Sequence, residues 1–403
     1  MDLTDPPAEA LASATADTER LRKTARDFAR ETVAPAAARH DRDRTFPHEI
    51  VERARELGLV NLLSPVAHGG EGLGPVELCV VAEELAWGCV GIGAAALLNN
   101  LAADCLALAG SERQKQEYFP RLCQTGGFAS YSVTEPGAGS NVAGLTTRAE
   151  RRGGGGYRLS GSKLWVGHAT EADFMVVFAK TDPEARHRGV SAFLVDRDRP
   201  GVDVVRPLPK LGQRAFSSCE VELRDVELPG SALLGREGEG FTLAMRVFDR
   251  SRPMVAAFAL GLARRALDES LAYATEREAF GRPIVEFQGV GFKLAEMGMR
   301  VEAARLLTYS AAAKAARGER NSLEAAYAKT FASDTAMFAA TEAVQVFGGR
   351  GYSEDYPVEK LFRDAKALQI YEGANEVQRQ IMVRELTQSS RKRAEERMEE
   401  GAE

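Results

Sequence analysis

No run of apolar residues in this chain approaches the length of a bilayer span. The most apolar stretch, Met254 to Ala263, is 10 residues long, whereas a membrane helix needs roughly 20, so membrane insertion is not expected. A basic excess is also missing. Lys and Arg number 52 against 58 Asp and Glu, for a formal net charge of −6, and no global positive field draws in a polyanion. Nucleic acid is therefore not an expected partner. Cysteine is scarce: the five residues Cys79, Cys89, Cys105, Cys123 and Cys219 form an odd set without a C-x-x-C pair. Most have apolar neighbours, which points to buried thiols in a reducing compartment, read as cytoplasmic. The histidines (His40, His48, His68, His168, His187) show no metal-ligand spacing, so no metal site is expected. Basic residues are absent before Arg20, and the stretch is acidic and broken by Pro6-Pro7. It fits neither a signal nor a transit peptide and reads, over residues 1–18, as a disordered leader. No internal repeat is visible.

What is present is a change of periodicity along the chain. Over 19–127, Leu21, Ala25, Phe28 and Ala29 recur at helix spacing, and Pro47 and Pro75 stand where first-turn prolines belong. Gly91 to Leu108 is apolar nearly all round and predicts a helix buried on every side. Ser111 with Gln114 predicts a capping box. Over 128–236 the pattern becomes short β-branched and aromatic runs (FMVVFAK, VSAFLVD, CEVELRDVEL) between Gly, Pro and Asp clusters. The run Arg151-Arg152-Gly153 to Gly156 reads as a flexible turn between strands. Long helical patterns return over 237–390, with Asn321 and Glu324 as a further capping box and Gly348-Gly349 as a stop. The tail, 391–403, is charged and expected to fray. The architecture is thus helices, a β domain, then helices.

Several strings carry chemistry. Tyr131-Ser-Val-Thr-Glu-Pro-Gly-Ala-Gly-Ser140 sits where helices give way to strands, and its glycines let backbone N–H groups and the Thr134 and Ser140 hydroxyls approach a polar ligand. Alone, Gly137-Ala-Gly139 is an ordinary turn, because the third glycine and the βαβ setting of a dinucleotide fingerprint are absent. Asp249 and Arg252, at i and i+3, make an ion pair on a helix. Glu372, read alone, is a carboxylate just before a helix whose first residue Asn375 can cap it, a place the helix dipole favours.

Taken together and in order, these strings resemble the acyl-CoA dehydrogenase family from about Leu21 to Leu386, nearest its medium- and short-chain branch. YSVTEPGAGS is similar to the family's flavin-binding signature, and Gly161-Ser-Lys-Leu-Trp165 to the strand that packs on the flavin. Arg277-x-x-Phe280-Gly281 with Gln288 resembles the contacts to the FAD diphosphate and adenosine. Gln345-Val-Phe-Gly348-Gly349 resembles a further one, and Asp355 to Lys360 and Ile370 to Gly373 complete the set. The fold this implies is mainly α, with a central β domain of barrel or sandwich type and a C-terminal four-helix bundle. FAD contacts are implied at Tyr131, Val133, Thr134, Gly139, Ser140, Trp165, Gly167, Arg277, Phe280, Gln288, Gln345, Gly348, Gly349, Ala374 and Glu376. Substrate contacts are implied at Ser140, Asp249, Arg252, Tyr371 and Gly373, with Arg252 toward coenzyme A.

The implied activity is α,β-dehydrogenation of a saturated acyl-CoA to the trans-2-enoyl-CoA, a step of fatty-acid β-oxidation. Glu372 would abstract the α-proton, and FAD would take the β-hydride and pass its electrons to an electron-transfer flavoprotein. A homotetramer built as a dimer of dimers is also implied. Gly93 to Ala96 are small and suit a medium-length acyl pocket. Three positions depart from the family: Gly167 stands for a Thr or Ser whose hydroxyl meets the flavin, Ala374 for a Thr, and Asn141 for an Asp. They leave open an alternative, an acyl thioester oxidase or a carrier-protein-linked acyl dehydrogenase of a biosynthetic pathway. A non-catalytic helical scaffold is the remaining reading, which Glu372 and the flavin strings oppose.

Overall fold

A computed structural model describes residues 16–400; most of the expected leader, and residues 401–403 of the tail, lie outside them. Two compact units are formed, one of Arg20–Phe248 and one of Asp249 onward with the few described residues before Arg20. The expected change from helices to strands at 127/128 falls inside the first unit.

The first unit opens with α1 (Ala16–Phe28), a π-turn (Ala29–Val33), α2 (Ala34–Asp43) and α3 (His48–Glu56). The apolar stretch from Pro75 onward forms two helices, α4 (Pro75–Leu97) and α5 (Asn99–Ala109), rather than one helix over Gly91 to Leu108. Cys89 is extended within α4, which bends the helix there. By length and composition α4 is long and apolar enough to cross a membrane, which the reading of Met254 to Ala263 missed; 89% of its apolar window is buried inside the protein. α6 (Glu112–Cys123) starts on the expected box, with the Gln114 N–H on Ser111 Oγ and the Ser111 N–H on Gln114 Oε1.

An eight-stranded sheet follows: β1 (Phe128–Ser132), β2 (Arg148–Arg151), β3 (Tyr157–Gly167), β4 (Ala172–Lys180), β5 (Val190–Asp196), β6 (Val202–Pro207), β7 (Ser218–Leu228) and β8 (Leu233–Leu234). Its order is β6-β7-β3-β2-β4-β5-β8, with β1 parallel to β4. β4 explains the FMVVFAK run. Phe174, Val176 and Phe178 pack with α5 and α6, whereas Met175, Val177 and Ala179 pack with β3, β5 and β7. A strand buried on both faces reads as continuous apolar sequence, not as alternation.

α7 (Gly240–Glu276) carries the chain into the second unit, which continues with the hairpin β9 (Glu278–Ala279) and β10 (Arg282–Pro283), then α8 (Gln288–Ala316), α9 (Ser322–Phe347), α10 (Pro357–Leu368) and α11 (Asn375–Glu400). The tail expected to fray from Arg391 is helical to Glu400. α9 packs against α8, α10 and α11, and its alanines at 325, 328, 332, 336, 339 and 343 are fully buried. Side chains this small let neighbouring helices approach closely.

Candidate active site

Glu372 sits in the turn between α10 and α11 with φ of 55°, followed by Gly373 at 91°. A left-handed conformation is costly for a residue with a Cβ and persists where surrounding bonds over-determine it. Here they do. The Glu372 carbonyl accepts from Arg252 Nε (3.3 Å) and Gln378 Nε2 (3.2 Å), and the Gly373 carbonyl from Lys329 Nζ (2.9 Å) and Gln378 Nε2 (3.0 Å). Gly373 suits its φ, and a Cβ there, 2.3 Å from Gln378 Nε2, would displace the amide that donates to both carbonyls. The carboxylate Oε2 accepts from Ser251 Oγ at 2.6 Å. Part of Glu372 reaches the surface, yet it lies deep among protein atoms. That burial raises its proton affinity, against the Ser251 hydrogen bond and the charges of Arg252 and Lys329. Among the described residues the Glu372 N–H donates to no protein acceptor.

The FDRSRP string supplies two of these contacts through one helical irregularity. Pro253 inside α7 has no N–H for the Asp249 carbonyl four residues back. Asn321 Nδ2 fills that place at 3.1 Å and also reaches the Ala311 carbonyl. Its side chain therefore makes no cap on α9, contrary to expectation. Asp249 holds Arg252 through Oδ1 (2.7 Å) and accepts from Ser322 Oγ through Oδ2 (2.6 Å). Arg252 is only 4% exposed, so the expected ion pair with Asp249 is an interior brace for the Glu372 turn. Asn375 likewise does not cap α11: its side chain meets Lys329, Ser333 and Asp334. Tyr371, Gly373 and Ala374 are half-buried beside Glu372, and Glu376 is exposed in the first turn of α11.

The flavin string of the first unit is fastened by a contact the sequence did not single out. Glu135 (4% exposed) accepts from the Thr146 N–H and Oγ1, from the Thr147 N–H, and from Lys163 Nζ at 2.8 Å. Fully buried Lys163 also donates to the Val133 carbonyl. Burial alone would raise the Glu135 carboxyl, but Lys163 and the threonine donors outweigh it and hold it at about 2. One ion pair thus joins the Tyr131 to Ser140 string to the Gly161 to Trp165 strand. The glycines it presents are open, since a Cβ at Gly137 or Gly139 would meet no atom within 4 Å. Val133 is buried, Thr134 half-buried and Ser140 exposed. In β3 a register shift against β7 between Lys163 and Val166 turns Trp165 outward, with φ of 59° and 54% exposure. An open polar bed beside an exposed indole fits a ligand with a flat ring and a polar chain, as FAD is.

Next to Gly167, at the end of β3, stands His168. Its ring is fully buried, edge-on to Phe46, Phe128 and Phe216 at centroid distances of 5.5, 5.2 and 5.4 Å. Burial lowers its pKa to about 3, against the pull of the Ala129 and Ala95 carbonyls. A neutral, enclosed imidazole does not replace a missing hydroxyl for a ligand. The space at Gly167 is filled by neighbours, with a Cβ there 2.5 Å from both Leu98 Cδ2 and Phe216 Cζ. Gly167→Ser is therefore expected to cost about 1 to 3 kcal/mol by overpacking. In a Phe216→Ala background the same change should cost much less, and a urea-unfolding double-mutant cycle with no coupling between the two sites would refute this account.

The remaining expected FAD contacts gather at one end of the second unit, where Tyr273 stacks on Phe347 at 4.1 Å. Arg277 and Phe280 belong to the β9–β10 hairpin, Gln288 opens α8, and Gln345, Gly348 and Gly349 close α9, all exposed. The hairpin loop Phe280-Gly281 has φ of 54° and 82°, the tight-turn pattern that favours Asn-Gly. Phe280 adopts it while 96% exposed.

Family models match three consecutive stretches: the acyl-CoA dehydrogenase N-terminal domain over residues 15–126, the middle domain over 130–226 and the C-terminal domain over 238–387. An acyl-CoA dehydrogenase of Bacillus subtilis (strain 168) is 40% identical over 363 residues, 90% of this chain and 96% of that protein. Among solved structures, butyryl-CoA dehydrogenase from Megasphaera elsdenii superposes with a TM-score of 0.89 at 36% identity, covering 93% of this chain and 99% of its own. A prolyl acyl carrier protein oxidase superposes with a TM-score of 0.87 at 30% identity over 93% and 99%.

Proposed function

Because this chain belongs to the acyl-CoA dehydrogenase family across all three of its domains, and is thereby a flavin-dependent oxidoreductase, we propose that Glu372 is the base that desaturates a bound acyl-CoA. The observation that carries this is the turn itself. A left-handed Glu with a raised proton affinity, held through four hydrogen bonds to its own and the next carbonyl, is a carboxylate fixed in place. A raised pKa makes the carboxylate a stronger base, which proton abstraction beside a thioester requires. The unpaired N–H of Glu372 is a donor for the thioester carbonyl as enolate charge develops. Ser251 keeps the carboxylate in one orientation. FAD, when bound, supplies the acceptor for the β-hydride.

Ser140, Asp249, Arg252, Tyr371 and Gly373 remain our candidates for substrate contacts. Arg252 and Asp249 also brace the Glu372 turn in this reading. FAD would be held by Tyr131, Val133, Thr134, Gly139, Ser140, Trp165 and the backbone at Gly167, with Ala374 and Glu376 beside the base. The exposed, left-handed Phe280, with Arg277, Gln288, Gln345, Gly348 and Gly349, supports a dimer of dimers in which this end of the unit is covered by a second subunit. The electron acceptor would be an electron-transfer flavoprotein, the pathway β-oxidation, and the five free cysteines support a reducing, cytoplasmic compartment.

One preparation tests the reading. Purified protein is expected to sediment as a tetramer, and a fully active monomer would remove the assembly proposal. An anaerobic titration with saturated acyl-CoA thioesters from C4 to C16 should then bleach the flavin absorbance. A colourless protein unable to take up FAD, or one bleached by none of the series, would sink the functional proposal. Rapid oxygen consumption on adding thioester without another acceptor would favour the oxidase instead.

A further inference from the structure

Lys329 lies about two turns into α9, among alanines, with none of its surface exposed. A buried ammonium is costly unless something compensates for lost water. The acceptors here are neutral: the Gly373 carbonyl and Asn375 Oδ1, each at 2.9 Å. Close helix packing needs no cation at this position, and an apolar side chain would suit the alanine face better. The charges facing Lys329 come from three elements and a turn: Glu372 from the turn, Arg252 from α7, Asp334 from α9 itself and Glu376 from α11. Burial draws the Lys329 pKa down to about 7, with Glu372 opposing, Arg252 adding to the fall, and Asp334 and Glu376 opposing. It is then a cation at pH 6 and mostly an amine at pH 9. Reciprocally, its charge lowers the proton affinity of Glu372.

We propose that Lys329 is a positioning residue for the base: its ammonium holds the carbonyl side of the Glu372-Gly373 turn, and its charge keeps the Glu372 carboxylate ionised for proton abstraction. This rests on Glu372 being the base. Two effects follow, and they separate with pH. The hydrogen bonds to Gly373 and Asn375 serve at any pH, whereas the charge serves only where Lys329 is protonated.

The test is anaerobic rapid mixing of the FAD-loaded enzyme with whichever acyl-CoA of the C4 to C16 series bleaches it fastest, at pH 6 and pH 9. K329M should slow bleaching about tenfold more at pH 6 than at pH 9, because an opposite charge at short range is worth about one pKa unit or more. K329R, which keeps the charge, should recover most of the pH 6 rate. Both variants are melted to check folding, and if K329M does not fold, K329Q keeps a donor without the charge and should show the same pH-selective loss. An equal slowing at both pH values, with E372Q inert, would mean that Lys329 is structural only and overturn the proposal while the base reading stands. Normal bleaching by E372Q would instead remove the base reading, whatever Lys329 does.

Discussion

Glu372→Gln is expected to slow flavin bleaching by on the order of 10³ to 10⁴-fold while still binding acyl-CoA. Loss of a general base typically costs up to this much. The amide keeps the shape of the side chain and can still accept from Ser251 Oγ, and the grip of Arg252, Lys329 and Gln378 on the turn is made to backbone carbonyls that the substitution leaves alone. Stability provides a second readout with a definite sign. The folded pKa of Glu372 lies above its ordinary value, so its contribution to stability is complete below the unfolded pKa and lost as pH rises through the folded one. Above its folded pKa the native protein therefore carries the cost of an ionised buried carboxylate, which E372Q does not. The variant should melt at the same or a higher temperature at pH 8, with the advantage vanishing in acid. A clearly lower melting temperature would mean that Glu372 is an architectural residue.

The layered order of helices, strands and helices was legible because each part has its own periodicity. What escaped were features fixed by packing. The apolar run from Pro75 to Ala109 gives no sign that Cys89 is extended or that the helix breaks at Leu98. Asn321 and Asn375 have the residue type and place of caps, yet distant acceptors outbid the local ones: a carbonyl freed by Pro253 for the first, and Lys329, Ser333 and Asp334 for the second. Local propensity is a weak prior where tertiary partners compete for the same side chain.

For the site, Glu372 was readable within a spaced set of strings, but its supports were not. Ser251 is 121 residues away in sequence and Lys329 is 44 from the Gly373 carbonyl it binds, separations that leave no periodic trace. A faint signal existed in Lys329 itself, a lone cation in the alanine-rich, otherwise uncharged run Ala325 to Ala332. A long charged side chain inside an apolar helix needs a partner, and that need points to function. Gly167 was noticed as a departure, but the reason for it was not. Phe216 lies 49 residues on, in a loop without pattern, and only the fold brings its ring against the place where a side chain at 167 would stand.

Lys163→Met should destabilise the protein by about 3 to 5 kcal/mol at pH 7, the usual cost of removing one partner from a buried ion pair. It leaves Glu135 ionised in the interior with threonine donors but no counter-charge, and deprives the Val133 carbonyl of its donor. The pH dependence identifies the cause. With Lys163 present the Glu135 carboxyl is held at about 2, below its ordinary 4.5, so the pair contributes stability above pH 4.5 that is lost as pH falls toward 2. Without Lys163, burial dominates and Glu135 takes up a proton more readily, so the deficit of the variant should shrink between pH 7 and pH 4.5. Adding Glu135→Gln to Lys163→Met should recover most of the lost stability, since two neutral side chains of similar volume remove the unpaired charge. Urea unfolding of the flavin-free protein reads all three effects. The functional consequence follows from what the pair joins: the glycine bed and the Trp165 strand lose their common fastening, and the single variant should purify with less bound flavin than the double. Equal stability of the single variant and the native protein at pH 7 would show that the pair is dispensable, and that the loop from Val133 to Thr147 is held by its backbone alone.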